Sequence, residues 1–378
     1  MSRMAAGFRR SLPAADGKLF AATRPDVHAS NDRLVAEFVE RMDRVESGPA
    51  AREAYRDGFT RLRSQLEVEL APRRRASDVF ECAARTARRI SAGCLPLGIA
   101  AAMHLYPLCV LQCIPLPLLS FARFQRAMLL RTIRKRSLIL ANAGSERIRG
   151  TSDVVFAHQD ADGIHVDGRF EYVSLASVAD VVFFKAPLAD THCTVFCGAD
   201  LRGKTVHIGD WKFSGSMRLS DTSSVTFVRH RVRRGRYVLV TNDRVLSCTS
   251  DYQRCWFHLF LAEIYLARIE RLHQLWGLRR STEQMVSLNE LSQLRAYALH
   301  LLDDLCSRTD LEPLKRTTSA LKLRVSLMAQ ATASALRGLA ALRPLDAPQL
   351  GEDANELGYI KWQPTADRII LSQLGCSR

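Results

Sequence analysis

Three short segments carry the residue types that could do chemistry. SERIRGTSD (145–153) puts a glycine and three hydroxyl residues where an Arg-rich helical pattern (126–144) gives way to the β-like VVFAHQ (154–159). Such a stretch is either an ordinary turn or a place where backbone and hydroxyls hold a phosphate-bearing ligand, glycine allowing the close approach. DGRFEYVSLASVAD (167–180) sets Tyr172 two residues before Ser174. By type alone these are a strand aromatic and a turn hydroxyl. DYQRCWFH (251–258) opens a helical block with Asp251, Gln253 and Arg254 close together, and Asp251 also suits a helix N-cap. His258 and His273 fall on helix faces among apolar residues, a core or surface pattern rather than a catalytic one. No GxSxG nucleophile elbow and no GxGxxG after a strand occurs.

Composition bounds the rest. With 378 residues, 47% hydrophobic and 25% charged, the chain is globular and large enough for more than one packed unit. Lys and Arg number 54 against 39 acids, a formal net charge of +15 that favours an anionic partner. The basic runs at 73–75, 131–136 and 229–236 lack interleaved aromatics, so nucleic acid is not expected. The 10 cysteines form no CxxC pair, and Cys109/Cys113 and Cys193/Cys197 have no matching His pair, so no metal site is expected. Reduced thiols and the lack of an apolar leader run point to the cytoplasm. Residues 94–121 are long enough to span a bilayer, but Pro96, Pro107, Pro115 and Pro117 interrupt them, and two short buried helices are expected instead.

The elements that must position these residues follow from periodicity. From Asn31 to about Leu70, then over 78–93 and 122–141, apolar positions recur at helical spacing. Between 151 and 246 the texture changes to β-branched and aromatic runs separated by turn chemistry such as DADG, PLAD and LRGK. Helical period returns over 252–278, 284–306 and 313–342, with an irregular tail after Pro344. The expected fold is α+β: an N-terminal helical domain (1–144), a middle antiparallel β-domain (145–250) and a C-terminal helical bundle (251–378).

That order, with three local motifs in sequence, resembles the acyl-CoA dehydrogenase superfamily of flavoproteins over nearly the whole chain. SERIRGTSD is similar to the family's Thr-Glu-Pro, two variable residues, Gly-Ser-Asp, with Arg147 in place of proline. DGRFEYVSLASVAD is similar to Asn-Gly-x-Lys-x-Trp-Ile-Thr with a following Ala-Asp, with Phe170 in place of lysine. SMRLSDTSSVTFVRHRV (216–232) keeps Met217, Arg218, Thr222 and the strand, with Arg233 where the family has proline. The resemblance implies FAD, with FMN or loss of the group as alternatives. It places Asn142, Gly144, Ser145, Gly150 and Thr151 around the flavin and its phosphates, Tyr172 and Val173 against the ring, and Ser174 in a hydrogen bond to it. Asp251 and Arg254 would meet the pantetheine arm of a thioester.

The family's base, a glutamate in the C-terminal segment or at the start of the helix after the β-domain, is missing from both places. WQPTADRIILSQLG (362–375) has no glutamate, Gln253 occupies the other position, and Glu263 lies nearly three turns further on. The cross-subunit flavin motif is also broken, leaving Arg279, Arg280 and Gln284 as donors. The implied protein is a divergent, biosynthetic oxidoreductase acting on acyl-CoA or an acyl carrier protein thioester, as a homodimer or homotetramer without a membrane span. The alternatives are a flavin-dependent monooxygenase of the same fold and a non-redox descendant.

Overall fold

A computed structural model describes residues 25–45, 48–63, 66, 75–114, 121–143, 155–189, 191, 193–233, 236–240, 243–304 and 310–362. The N-terminal block holds helices α1 (Pro25–Asp43), α2 (Pro49–Arg63), α3 (Ala76–Gly93), α4 (Leu95–Cys113) and α5 (Phe121–Lys135). Residues 95–110 of α4 are all buried. The expectation of two short helices over 94–121 is corrected: α4 runs unbroken past Pro107. Pro96 sits in the first turn, where its missing N–H costs nothing, and burial on every side holds the helix through the bond that Pro107 removes. By length and composition α4 passes for a membrane span, yet 83% of that window is buried inside the protein. Close packing of α3 on α4 depends on Gly98, where a Cβ would come within 2.4 Å of Ser91 Cβ.

Residues 140–142, expected to end a helix, form strand β1 (Leu140–Asn142), whose first N–H donates to His104 Nδ1 at 3.0 Å. Burial pushes the His104 pKa down to about 3, so the ring is neutral and free to accept. The β-branched and aromatic runs between 151 and 246 form strands β2 (Val155–Asp160), β3 (Gly163–Val173), β4 (Val181–Pro187), β5 (Thr194–Asp200), β6 (Val206–Trp211), β7 (Ser223–Val232) and β8 (Tyr237–Val240). They make two four-stranded sheets, ordered β1-β4-β5-β8 and β2-β3-β7-β6. Pairing is antiparallel except for β1 with β4, which is parallel and departs from the all-antiparallel expectation. Between the sheets Phe170 packs on Phe184 at 5.1 Å and Phe227 stacks on Phe184 at 5.5 Å. Phe170 is therefore a core residue, which accounts for an aromatic where the resemblance has lysine.

The C-terminal block is α6 (Asp243–Trp276), α7 (Thr282–Asp304), α8 (Glu312–Leu342) and α9 (Ala347–Gly358). α6 begins earlier than the expected 252, because VLSCTS (245–250) extends the helix without a breaker. The tail expected to be irregular contains α9, whose buried Leu350, Ala354 and Leu357 make one apolar stripe despite two glycines. Arg268 ties this block together. Its Nη2 reaches Asp353 at 2.8 Å and Glu356 at 3.1 Å, and its Nη1 donates to the Ala92 and Gly93 carbonyls at 3.2 Å.

Candidate functional site

The site grows from an irregularity in β3. Phe170 pairs with Val225 of β7 and Val173 with Ser223, so the register slips between them. A strict alternation that buries Phe170 would also bury Tyr172; the bulge breaks it and turns Val173 inward instead. Tyr172 is left 46% exposed, stacked on Phe213 at 6.3 Å with Lys212 5.8 Å over its ring. Phe213 in turn meets Tyr359, beyond α9, edge-on at 5.3 Å. An aromatic surface thus runs from the end of β3 to the C-terminal helical block. Lys212 is neutralised by Glu171, whose carboxyl that contact holds below its usual range.

Ser174 follows at the strand end, half-buried, its Oγ 2.9 Å from Thr222 Oγ1. Thr222 lies 2.8 Å from Ser220 Oγ, which donates to the Met217 carbonyl at 2.9 Å. Behind these hydroxyls is Asp221, fully buried, with φ of 49°. Its carboxylate accepts from Ser177 N at 2.8 Å, Ser177 Oγ at 2.7 Å and Trp211 Nε1 at 2.8 Å. Burial raises its pKa to about 6, against the lowering effect of the Trp211 and Ser177 bonds. Leu175 also takes a left-handed φ, of 61°, and its N–H donates to Ser220 O at 3.3 Å, so the turns at 174–178 and 220–222 brace each other. α2 fastens both: Tyr55 donates to Leu219 O at 2.8 Å and Arg56 to Ser177 O at 2.8 Å. Helical block and β-domain therefore meet behind Ser174.

Asn142 sits at the end of β1, paired with Phe183 of the neighbouring strand β4 in the same sheet. Gly144, Ser145, Gly150 and Thr151 lie outside the described residues, as does the whole of SERIRGTSD. Asp251, Gln253 and Arg254 stand inside α6, more than a turn past its start, so the N-cap reading of Asp251 is corrected. Asp251 is held instead by Lys315 of α8 at 3.4 Å and by Arg254 at 3.6 Å. Lys185 of β4 reaches Ser250 at 3.1 Å, bringing the first sheet against the same turn of α6. Glu263 is spent on structure: it is buried and gripped by Arg88 at 2.9 Å and by Arg295. Gln284 exchanges bonds with Ser281 at 3.1 and 3.2 Å, a capping box that starts α7. Arg233, which replaces the family's proline, pairs with Asp200 at 2.7 Å. His258 is a fully buried neutral ring, its pKa driven to about 3 chiefly by burial. Among the described residues no cluster of His, Cys, Asp and Glu could hold a metal.

Sequence reasoning singled out Tyr172, Ser174 and Thr222 but missed Asp221, Trp211, Ser220 and Phe213. The adjacent run SDT (220–222) was a signal; the contribution of Trp211 needed the register of β6, which slips opposite Ser223.

Solved structures share this fold. KijD3, in complex with FMN and dTDP-3-amino-2,3,6-trideoxy-4-keto-3-methyl-D-glucose, superposes with a TM-score of 0.66 at 17% identity, over 95% of this chain and 96% of its own. TdsC from Paenibacillus sp. A11-2, with FMN and indole, gives 0.65 at 17% identity over 93% and 95%. PigA, as its FAD complex, gives 0.67 at 14% identity over 94% and 99%. The fold is acyl-CoA dehydrogenase-like. No protein-family profile matches the chain, and no curated protein matches it in sequence.

Proposed function

We propose that this acyl-CoA dehydrogenase-like chain is a flavin-dependent oxidoreductase of biosynthetic type that acts on an acyl thioester. The observation that carries the reading is the end of β3, where a bulge presents Tyr172 outward beside Ser174. A flavin needs flat apolar contact for its ring and a polar group near the ring's reactive nitrogen. Tyr172 and Phe213 supply the first, Ser174 the second, so the residues present fit the group. The KijD3 and TdsC complexes contain FMN and the PigA complex FAD, and either suits this chain. When bound, a flavin supplies two-electron redox chemistry or, reduced, the activation of oxygen. The chain's own residues orient and shield: the Asp221 frame fixes the 174–178 turn, and the aromatic surface excludes water from one side.

The thioester reading rests on Asp251 and Arg254 near the first sheet. An acidic acyl carrier protein suits the surface as well as coenzyme A does, for no carboxylate occurs between Glu81 and Glu146, and α5 exposes Arg131, Arg134, Lys135 and the apolar Met128. Met285 and Val286 of α7 and Leu327 of α8 are exposed, which supports a second copy as a partner.

One observation favours the monooxygenase alternative. The places where the resemblance expects a base carry no glutamate in the sequence: Gln253 is an amide and none follows Glu356, while among the described residues Glu263 is gripped by two arginines and Glu356 is held by Arg268. TdsC is a dibenzothiophene monooxygenase. The test of the flavin reading is titration of the purified protein with FMN and FAD. Uptake with flavin absorbance is expected; colourless protein that takes up neither would end both flavin readings and leave a non-redox role. Reduced flavin and oxygen supplied to the loaded protein then separate the two, an oxygenated product marking the monooxygenase.

A further inference from the structure

Resting on the flavin reading above, we infer that the hydroxyl chain Ser174–Thr222–Ser220 has a fixed polarity, so that Ser174 meets its ligand as an acceptor and favours reduced over oxidised flavin. The order of donation follows from the inner end. A carbonyl oxygen has no proton to give, so Ser220 spends its only proton on Met217 O, 2.9 Å away. Thr222 must then donate to Ser220 across 2.8 Å, and Ser174 must donate to Thr222 across 2.9 Å. Ser220 and Thr222 are buried, which keeps water from substituting for either link. Ser174 is left with lone pairs alone to offer outward.

At N5 of a flavin the two oxidation states differ in the same property. Reduction adds two electrons and a proton there, turning an acceptor into an N–H donor. The resting chain matches the N–H. To donate to the oxidised ring, Ser174 must either give up its own bond to Thr222 or turn all three hydroxyls together, which breaks the Ser220 bond to the Met217 carbonyl; one hydrogen bond is lost either way. That cost falls on one oxidation state only, so it reads out as a redox potential. Ser220 and Thr222 act through Ser174 and are positioning residues; they touch no cofactor.

The test uses the full chain reconstituted with FMN, its midpoint potential measured by reductive titration against reference dyes. Thr222→Val frees the Ser174 proton, and Ser220→Ala releases Thr222 to donate towards Ser174. Each variant should lose roughly fivefold to tenfold of the preference for reduced FMN, the worth of about one hydrogen bond. At about 30 mV per tenfold for a two-electron couple, the potential falls by about 20–30 mV. Thr222→Ser keeps the chain and should keep the wild-type potential. Two variants at different positions keep the result readable if one fails to fold. An unchanged or higher potential in both, or an equal fall in Thr222→Ser, overturns the polarity. Wild-type protein that takes up neither FMN nor FAD overturns the flavin reading instead, before any potential can be read.

Discussion

At the scale of single residues, Asp221 is a fully buried carboxyl whose environment works against its ionised form. Its carboxyl ionises near 3.8 in the unfolded chain but holds its proton to about 6 when folded, mainly through burial. Between those values the native state binds more protons than the unfolded one, so stability falls as the pH rises through that window. The loss assigned to this group is on the order of 2–3 kcal/mol, and above about pH 6 no more is lost. Asp221→Asn does not titrate, so its urea midpoint should decline less between pH 4 and 6 than that of the wild type; equal slopes would contradict the assignment. Gln253 invites a second substitution. Gln253→Glu restores a carboxylate of the same length at the position where the resemblance puts a base, and it should raise proton exchange at an acyl α-carbon, followed by deuterium uptake. No change would show that α6 does not present this residue to the substrate.

At the scale of elements, the helices and strands were largely legible because burial imposes its period on the sequence. The alternation of VVFFKAP reappears in β4, and of the stripe read as Leu291, Leu294, Ala298, Leu301 and Leu305, α7 buries Leu291, Ala298 and Leu301 and packs Leu294 against the core, Leu305 lying outside the described residues. What failed to show had local reasons. Pro107 reads as a breaker, yet helix packing on all sides of α4 outweighs one missing bond. Leu140–Asn142 reads as helix, yet a parallel partner in β4, distant in sequence, claims it. α9 was hidden by its glycines. Packing of α3 on α4 gives a prediction of its own. Gly98→Ala drives a methyl into Ser91, whose Oγ donates to Ile264 O of α6 at 2.5 Å, so relief on that side is blocked. The substitution should cost about 1–3 kcal/mol in chemical denaturation. A neutral result would mean that the two helices separate freely.

At the scale of the whole molecule, the order helical, β, helical was readable from texture, and the solved structures that share it cover nearly the whole chain. The candidate site was readable only in part. Tyr172 and Ser174 stand in one linear motif, but which way the tyrosine faces depends on a bulge set by β7, and the frame behind Ser174 joins residues from α2, β6 and the 220–222 turn. Such contacts leave no mark in a single segment. The central claim is that the end of β3 receives a flavin ring, and it is tested most directly by FMN fluorescence quenching on wild-type protein and on Tyr172→Ala. Saturable quenching by the wild type is expected, with affinity at least about fivefold weaker in the variant, since an aromatic contact of this kind is worth roughly 1–3 kcal/mol. Equal affinity in the two proteins would place the flavin elsewhere, and the absence of binding to either would contradict the account.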